Sequence, residues 1–304
     1  MTTTYTPYLR GRMYDLLALK ALAEQRQLGP RIIPIIEPVR DSKELQQTVR
    51  TLVALKQQFS LIANPQVSVY GLNSDKRFPL PALRDVPTFH PGAILAADFS
   101  RDFLTTHAGQ SSYLIAPNYP LLKAYADQAV IHQSTLLIPD EARLHQLAGD
   151  QAIRLTDPLA FPPHVADYQD LTDEYFAPAD WAHAPIGYAG FGDYSMVGRP
   201  YFDKGMPSRA IALHVIYVTT DGTLRIHHFV STSNERMSGQ KQKFFEALAQ
   251  LTAWAPTHLT GLNRTPALTE LLAYADQSKF PGLGIVKKLS LMHHLQLMHR
   301  LLGE

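Results

Sequence analysis

The sequence predicts an α/β fold, and within that class a (βα)8 TIM-barrel-like domain with an added antiparallel hairpin and C-terminal helices. Short apolar segments alternate with helical or loop segments over the first two thirds of the chain, as in βαβ units. Several of these segments are apolar on both faces, which is typical of strands buried in parallel sheets. About eight of them occur, and eight strands would close a barrel, whereas fewer would leave an open doubly wound sheet.

The first elements follow from local patterns. Leucines recur at helical spacing over residues 13–27 and predict an opening helix. The run RIIPIIEPV at residues 31–39 predicts a buried strand that carries Glu37 near its end. Asp41 and Glu44 resemble a capping box, so we expect an amphipathic helix after them.

The later strands repeat this pattern. They are predicted at residues 60–66, 93–99, 112–118, 129–133, 152–158, 185–193 and 210–218. After the last one, Asp221-Gly222 signals a hairpin turn into residues 223–230. We therefore expect one domain over residues 1–304, in which residues 205–304 carry the hairpin and a C-terminal helical extension.

Composition excludes some classes of protein. The chain has no cysteine, which removes disulfides, thiolate nucleophiles and iron–sulfur clusters. The N-terminus has no apolar run of signal-peptide length, and no stretch of the chain approaches the length of a membrane span. We therefore expect a cytoplasmic protein without a membrane partner. The 28 basic and 27 acidic side chains leave a formal charge of +1, which does not favour a general nucleic-acid binder.

A family resemblance rests on segments spread in order over most of the chain. They are residues 8–12 with 15–19, 34–39, 64–66, 187–191 with 193–194, 226–231, and 280–284 with 287–294. These segments resemble the Beta protein family, a group of bacterial and phage proteins with no established activity, and its bacterial branch in particular. One departure lies at residues 161–165, where relatives carry a longer basic, Asn-containing segment. The resemblance implies a component of a phage-defence or mobile-element module, with a protein partner, often nuclease-like, encoded nearby.

Polar residues stand at the ends of seven predicted strands. They are Glu37, Asn64, Asp98, Asn118, His132, Asp157 and Asp193. Because ligands bind at the carboxyl ends of parallel strands, we expect these side chains to converge on one mouth. The carboxylates of Glu37, Asp98, Asp157 and Asp193 are the predicted catalytic groups, since they can hold Mg²⁺ or transfer protons, and the other three are predicted ligand contacts. The alternative is structural. Asp and Asn after a strand often only cap the next helix or form a turn, and a buried Glu37 needs a partner that Arg10, Arg12 or Arg154 could supply.

Two further sets of residues are candidates for ligand binding. His214 lies on the first strand of the predicted hairpin and can meet His227 or His228 on the second, depending on register; we name His214 and His228 as the candidates. Gly190 and Gly192 lie where a barrel often binds phosphate, although a tight turn explains them equally well.

Three functional hypotheses follow. The first is a ligand-binding barrel that works with a protein partner in a defence or mobile-element module. The second is a metal-assisted phosphodiester hydrolase that uses the acidic strand ends. The third is a nucleic-acid-binding module that uses Arg10, Arg12, Lys241, Lys243, Lys287 and Lys288.

Overall fold

The computed structural model describes residues 3–67, 69–70, 80–97, 111–179, 187–196, 198–202 and 208–303. The chain divides into two compact units. Unit 1 comprises Met1–Asp157 and Trp181–Tyr201, and unit 2 comprises Pro158–Asp180 and Phe202–Glu304. The single-domain organisation expected from the sequence stays a prediction.

Unit 1 contains nine of the strands in the described residues and unit 2 contains three. In chain order they are β1 (Thr4–Tyr5), β2 (Tyr8–Leu9), β3 (Ile35–Ile36), β4 (Phe59–Ile62), β5 (Phe89–Ile94), β6 (Tyr113–Ile115), β7 (Thr135–Ile138), β8 (Ile153–Thr156), β9 (Asp173–Ala177), β10 (Gly190–Asp193), β11 (Ala212–Val218) and β12 (Leu224–Val230). The helices of unit 1 are α1 (Met13–Glu24), α2 (Lys43–Ala54), α3 (Tyr119–Tyr125), α4 (Ala129–Gln133) and α5 (Ala142–Ala148). Those of unit 2 are α6 (Gln240–His258), α7 (Pro266–Asp276) and α8 (Leu283–Leu301). Short 3-10 helices cover Leu80–Leu83, Val165–Gln169 and Gly261–Asn263.

The nine strands of unit 1 form one parallel sheet in the order β1-β10-β8-β7-β6-β5-β4-β3-β2. Only Thr6 and Pro7 separate β1 from β2, the two ends of this order, so the sheet must curl. The predicted α/β fold with a barrel-like parallel sheet is therefore confirmed.

The finer prediction of a closed (βα)8 TIM barrel is wrong. No helix lies between β1 and β2, which are two residues long each. The chain between β8 and β10 passes through unit 2 rather than forming a helix on the sheet in the described residues. The regular alternation of strand and helix that defines the TIM barrel is thus interrupted twice.

The two faces of the sheet bury different sets of apolar residues. One face carries an apolar cluster without helix residues, and we call it the inner face. The cluster includes Tyr8, Ile35, Ile62, Ile115 and Leu155. The outer face packs on helices, with a cluster that includes Leu95, Leu114, Leu122, Leu136 and Leu144. Burial on both faces explains why the strands are continuously apolar in sequence.

One predicted strand is a helix. Residues 129–133 form α4, and the strand of this region is β7, six residues further along. Val130 and Ile131 are buried within α4, so a short apolar run here marks a buried helix turn and not a strand.

Unit 2 confirms the predicted antiparallel hairpin. β11 pairs with β12 over its whole length, and β9 pairs with the other edge of β12. The turn contains Gly222 at a φ of +87°, a conformation that favours glycine, and Asp221 Oδ1 accepts a hydrogen bond from the backbone N–H of Thr223. No helix among the described residues has the length and apolar character needed to cross a bilayer.

Candidate functional site

Glu37 lies directly after β3 and is fully buried. By alternation from Ile35 its side chain continues the inner face. It accepts hydrogen bonds from Tyr8 Oη (2.7 Å) and from the backbone N–H of Gln66 (2.8 Å), and it forms an ion pair with Arg10. Its two oxygens thus have three protein donors, which is the arrangement that a buried carboxylate needs.

Arg10 connects this buried pair to a segment far away in the chain. Its guanidinium donates to Glu37 and to the backbone carbonyl of Arg199. The Cζ atom lies 5.4 Å from the ring centroid of Tyr8 and 5.7 Å from that of Tyr194. The Nε–H of Arg10 has no hydrogen-bond partner among the described residues, although only 9% of the residue is exposed.

A cavity of about 250 Å³ opens at the carboxyl ends of β6, β7 and β8. Its apolar walls are Ile115, Pro117, Pro139 and Leu155, and its polar groups are Asp140, Thr156, Asp157, Tyr194 and Arg199. Ligands of barrel-like parallel sheets bind at this edge, and apolar walls with a few polar groups are typical of small-molecule sites. We call Arg10, Glu37, Asp157, Tyr194 and Arg199 the mouth.

Asp157 lines this cavity. Both carboxylate oxygens accept a hydrogen bond from the backbone N–H of Arg199 at 3.2 Å. Partial burial raises the pKa of Asp157, and that hydrogen bond, together with the charges of Arg199 and Arg10, counteracts the rise. Burial also raises the pKa of Tyr194 to about 12, so its phenol remains a hydrogen-bond donor at neutral pH.

Asp193 does not join Glu37 on the inner face. Gly192 pairs with Leu155 of the inner face, so the adjacent Asp193, which pairs with Thr156, belongs to the outer face. Its carboxyl accepts hydrogen bonds from Tyr5 Oη at 3.0 Å and from the backbone N–H of Ser195 at 2.7 Å. Burial raises the pKa of Asp193 to about 7, with the neighbouring Asp157 adding to the rise.

The remaining predicted strand-end residues have local structural roles where the structure describes them. Asn64 exchanges two hydrogen bonds of 2.8 Å with the backbone of Ile94 and so extends the pairing of β4 with β5. Asn118 caps α3 by accepting from the backbone N–H of Leu121. His132 is exposed on α4 and is not at a strand end, because the strand predicted there is a helix. Asp98 lies outside the described residues.

Gly190 and Gly192 belong to β10 and not to a phosphate-binding turn. A Cβ atom on Gly190 would lie 2.5 Å from the carbonyl oxygen of Thr4, and one on Gly192 would lie 2.4 Å from that of Thr6. Close approach to the neighbouring strand therefore explains both glycines.

The described carboxylates do not form an acidic ring. Arg10 and two further donors occupy Glu37, and Asp193 belongs to the opposite face of the sheet from Glu37. Among the residues that the structure describes, no group of three His, Asp or Glu side chains is arranged to hold a metal ion. Asp157 is the predicted carboxylate that lines the cavity.

Unit 2 brings the predicted histidine pair together. His214 lies directly opposite His228, and Nδ1 of one imidazole is 2.6 Å from Nδ1 of the other. His228 Nε2 is 2.9 Å from Glu174 Oε2, and the Tyr168 ring packs on both imidazoles at 4.7 and 4.6 Å between centroids. Burial lowers the pKa of His214 to about 3 and also lowers the pKa of His228. One of the two Nδ1 atoms must accept the hydrogen bond, so at least one imidazole in the chain Glu174–His228–His214 is neutral.

Two of the basic residues considered for nucleic-acid binding are buried in hydrogen bonds. Arg10 is in the mouth, and Lys243 is buried at the start of α6, where its ammonium donates to the carbonyl of Arg236. These two side chains do not contribute to a basic surface.

Neither Tyr194 nor Arg199 was among the site residues predicted from the sequence. Their contacts join residues about 190 positions apart, such as the Arg10 hydrogen bond to Arg199, and no local pattern signals such a contact. A continued alternation beyond β10 was the available signal for Tyr194, since it follows Asp193 by one residue and returns to the inner face.

Comparisons with known proteins add no relative. No protein-family model matches the sequence, and neither a curated protein nor a solved structure is significantly similar to it. The resemblance to the Beta protein family stays a prediction.

Proposed function

We propose that this protein binds a small polar ligand at the mouth and works with a protein partner as a component of a phage-defence or mobile-element module. The observation that carries the ligand-binding part is the cavity of about 250 Å³, in which Asp157, Tyr194 and Arg199 meet four apolar residues. The resemblance to the Beta protein family supports the module and the partner.

The geometry favours binding over metal-assisted hydrolysis. A two-carboxylate or three-carboxylate metal site needs free oxygens that point to one position. Glu37 is already paired with Arg10, and Asp193 lies on the other face of its strand. The cavity is instead lined by both apolar and polar residues, which suits recognition of an organic molecule.

Two experiments test this proposal. The purified protein is denatured, and released small molecules are identified by mass spectrometry, with the Asp157→Asn/Arg199→Gln double variant as the comparison. We expect a molecule that is enriched in the wild type and depleted in the variant. If no molecule is released and a panel of nucleotides, amino acids and sugar phosphates leaves the melting temperature unchanged, ligand binding at the mouth is wrong.

The module is tested in cells. The gene and its neighbour are expressed separately and together in a phage-sensitive host, and plaque formation is counted. We expect protection only when both genes are expressed together, and we expect the Asp157→Asn/Arg199→Gln variant to abolish that protection. Full protection by this gene alone, or none by the pair, would contradict the partner.

A further inference from the structure

The mouth offers more unpartnered hydrogen-bond donors than acceptors. The guanidinium of Arg199 is exposed, and its side chain has no hydrogen bond or ion pair with any described residue. Tyr194 also lines the cavity, and its hydroxyl donates to no described residue. The Nε–H of the buried Arg10 is also without an acceptor in the described part of the chain.

A buried donor without an acceptor costs free energy, and nine tenths of Arg10 are buried. The side chain is nevertheless fixed, because Glu37 and the Arg199 carbonyl hold its terminal nitrogens. The Tyr194 ring centroid is 5.7 Å from Arg10 Cζ, and the backbone N–H of Arg199 donates to Asp157. Arg199 and Tyr194 thus line the same cavity, and Arg10 packs against Tyr194.

We propose that the ligand of the mouth carries an oxyanion group, a carboxylate or a phosphate, beside a hydrogen-bond donor such as a hydroxyl. This inference rests on the proposed function and names the class of ligand. Arg199 and Tyr194 bind the oxyanion, since guanidinium groups bind planar carboxylate and phosphate oxygens well. Arg10, whose charge is balanced by Glu37, lies 5.7 Å from the Tyr194 ring centroid.

Asp157 supplies the complementary half of the recognition. Asp157 lines the same cavity as Arg199, and from the described residues its carboxylate accepts only the Arg199 backbone N–H. An anion without a donor group would meet repulsion from this carboxylate, whereas a neighbouring hydroxyl donates to it. The opposite charges of Asp157 and Arg199 therefore favour a hydroxy acid or a hydroxyalkyl phosphate over a simple anion.

Calorimetry and thermal shift with four probes test the inference. The probes are malate, glycerol 3-phosphate, glycerol and ethanolamine, at constant ionic strength set with sodium chloride. We expect malate or glycerol 3-phosphate to bind and to raise the melting temperature, and which of them binds distinguishes a carboxylate from a phosphate. Glycerol and ethanolamine, which lack the anion, should not bind.

Variants connect binding to the named groups. Arg199→Gln should reduce the affinity for the anion about tenfold to a hundredfold, which is the usual loss for a hydrogen bond to a charged group. Arg50→Gln should leave that affinity unchanged. Arg50 is the matched control because it is exposed on α2 in the same unit. Neither variant should change the melting temperature without probe, since neither guanidinium has a partner among the described residues.

The outcomes separate this inference from the proposed function. Anion binding that is lost in Arg199→Gln and kept in Arg50→Gln supports both. Binding of glycerol or ethanolamine that depends on Asp157 and not on Arg199 would overturn the oxyanion and leave ligand binding at the mouth intact. If none of the four probes binds and the purified protein releases no small molecule, both are wrong.

Discussion

His214 and His228 face each other across the β11–β12 pair with 2.6 Å between their Nδ1 atoms, and His228 reaches Glu174 with its other nitrogen. A separation of 2.6 Å between two nitrogens requires one donor and one acceptor. Protonating both imidazoles would place two N–H groups against each other. The pair is therefore compatible with the folded hairpin only while at least one imidazole is neutral.

The first prediction is that acid weakens the fold through buried neutral histidines. Burial lowers the pKa of His214 and of His294 to about 3 and that of His293 to about 4. The unfolded chain binds these protons near pH 6.5, so their contribution is complete above that pH and decreases as pH falls toward 4. For the fully buried His293 and His294, going from pH 7 to 5 costs about 2 kcal/mol each.

Urea unfolding at pH 8, 7, 6 and 5 measures this effect. His293→Gln should reduce the pH dependence even if it lowers the stability at pH 8, because the hydrogen bonds to Thr265 and to the Ile216 carbonyl are perturbed. His132→Gln is the control, since His132 is exposed. A pH dependence from pH 8 to 5 that is the same in His293→Gln as in wild type would contradict a neutral buried His293.

The second prediction has the opposite sign and concerns Asp193. Burial raises the pKa of this carboxyl to about 7, so the folded chain holds its proton up to a higher pH than the unfolded chain does. Its contribution is complete below about pH 4 and decreases as pH rises through 7. Because the pKa rises from 3.8 to about 7, the stabilisation that is lost when pH exceeds 7 is about 4 kcal/mol.

Asp193→Asn removes this titration and keeps an oxygen that can accept from Tyr5 and from the Ser195 backbone N–H. We expect the free energy of unfolding of the variant, relative to wild type, to increase between pH 5 and 8. Asp127→Asn, at an exposed position, is the comparison. It should leave the free energy of unfolding unchanged at both pH 5 and pH 8. If the two proteins differ by the same amount at every pH, the buried Asp193 is ionised throughout and the prediction is wrong.

The third prediction is that β10 tolerates no side chain at Gly192. A Cβ atom there would lie 2.4 Å from the carbonyl oxygen of Thr6, and backbone on a paired strand cannot retreat without breaking hydrogen bonds. Gly192→Ala should lower the melting temperature by several degrees, since overpacking of this kind costs about 1–3 kcal/mol. Ala189→Ser, three residues earlier, is the control for a change of one small residue. A Gly192→Ala protein as stable as wild type would show that the two strands separate easily.

Local patterns predicted the elements whose cause is local. Asp221-Gly222 carries its own turn chemistry, so the hairpin followed from the sequence. The strand predicted at residues 129–133 was wrong, because a short buried helix and a short buried strand both have continuous apolar sequences. Glu37 was recognised as buried because it interrupts an apolar run, and its arginine partner was among those named. Arg199 was out of reach, since its place beside Asp157 depends on a chain path through the other unit.

The face of Asp193 shows the limit of counting strand ends. Side chains alternate between the two faces of a strand. A carboxylate at the strand end therefore lies on the inner or the outer face depending on how many residues separate it from one whose face is known. The predicted strand of residues 185–193 had the correct end but no paired residue to fix its faces. Pairing of Gly192 with Leu155 supplies that reference.

The fourth prediction distinguishes a structural role of Glu37 from a role in ligand binding. Glu37→Gln keeps the volume and removes the charge that neutralises Arg10. Breaking a buried ion pair leaves an uncompensated charge, so we expect the variant to lose about 3–5 kcal/mol of unfolding free energy. Glu24→Gln on α1 removes the carboxylate of the exposed Lys20–Glu24 pair and should cost less than about 0.5 kcal/mol.

Two readouts decide this prediction. If Glu37 only supports the fold, stability decreases while the folded fraction still binds the anion probe through Arg199 and Tyr194. If Glu37 contacts a ligand or a cation, the stability of Glu37→Gln should equal or exceed that of wild type, because a buried charge without its ligand destabilises the folded protein. Mg²⁺ or Mn²⁺ would then raise the melting temperature of the wild type and not of Glu37→Gln, because a ligand that binds only the folded state stabilises it by mass action. A destabilised variant with no metal response in either protein assigns Glu37 to the support of Arg10 and removes the metal-assisted hydrolase from consideration.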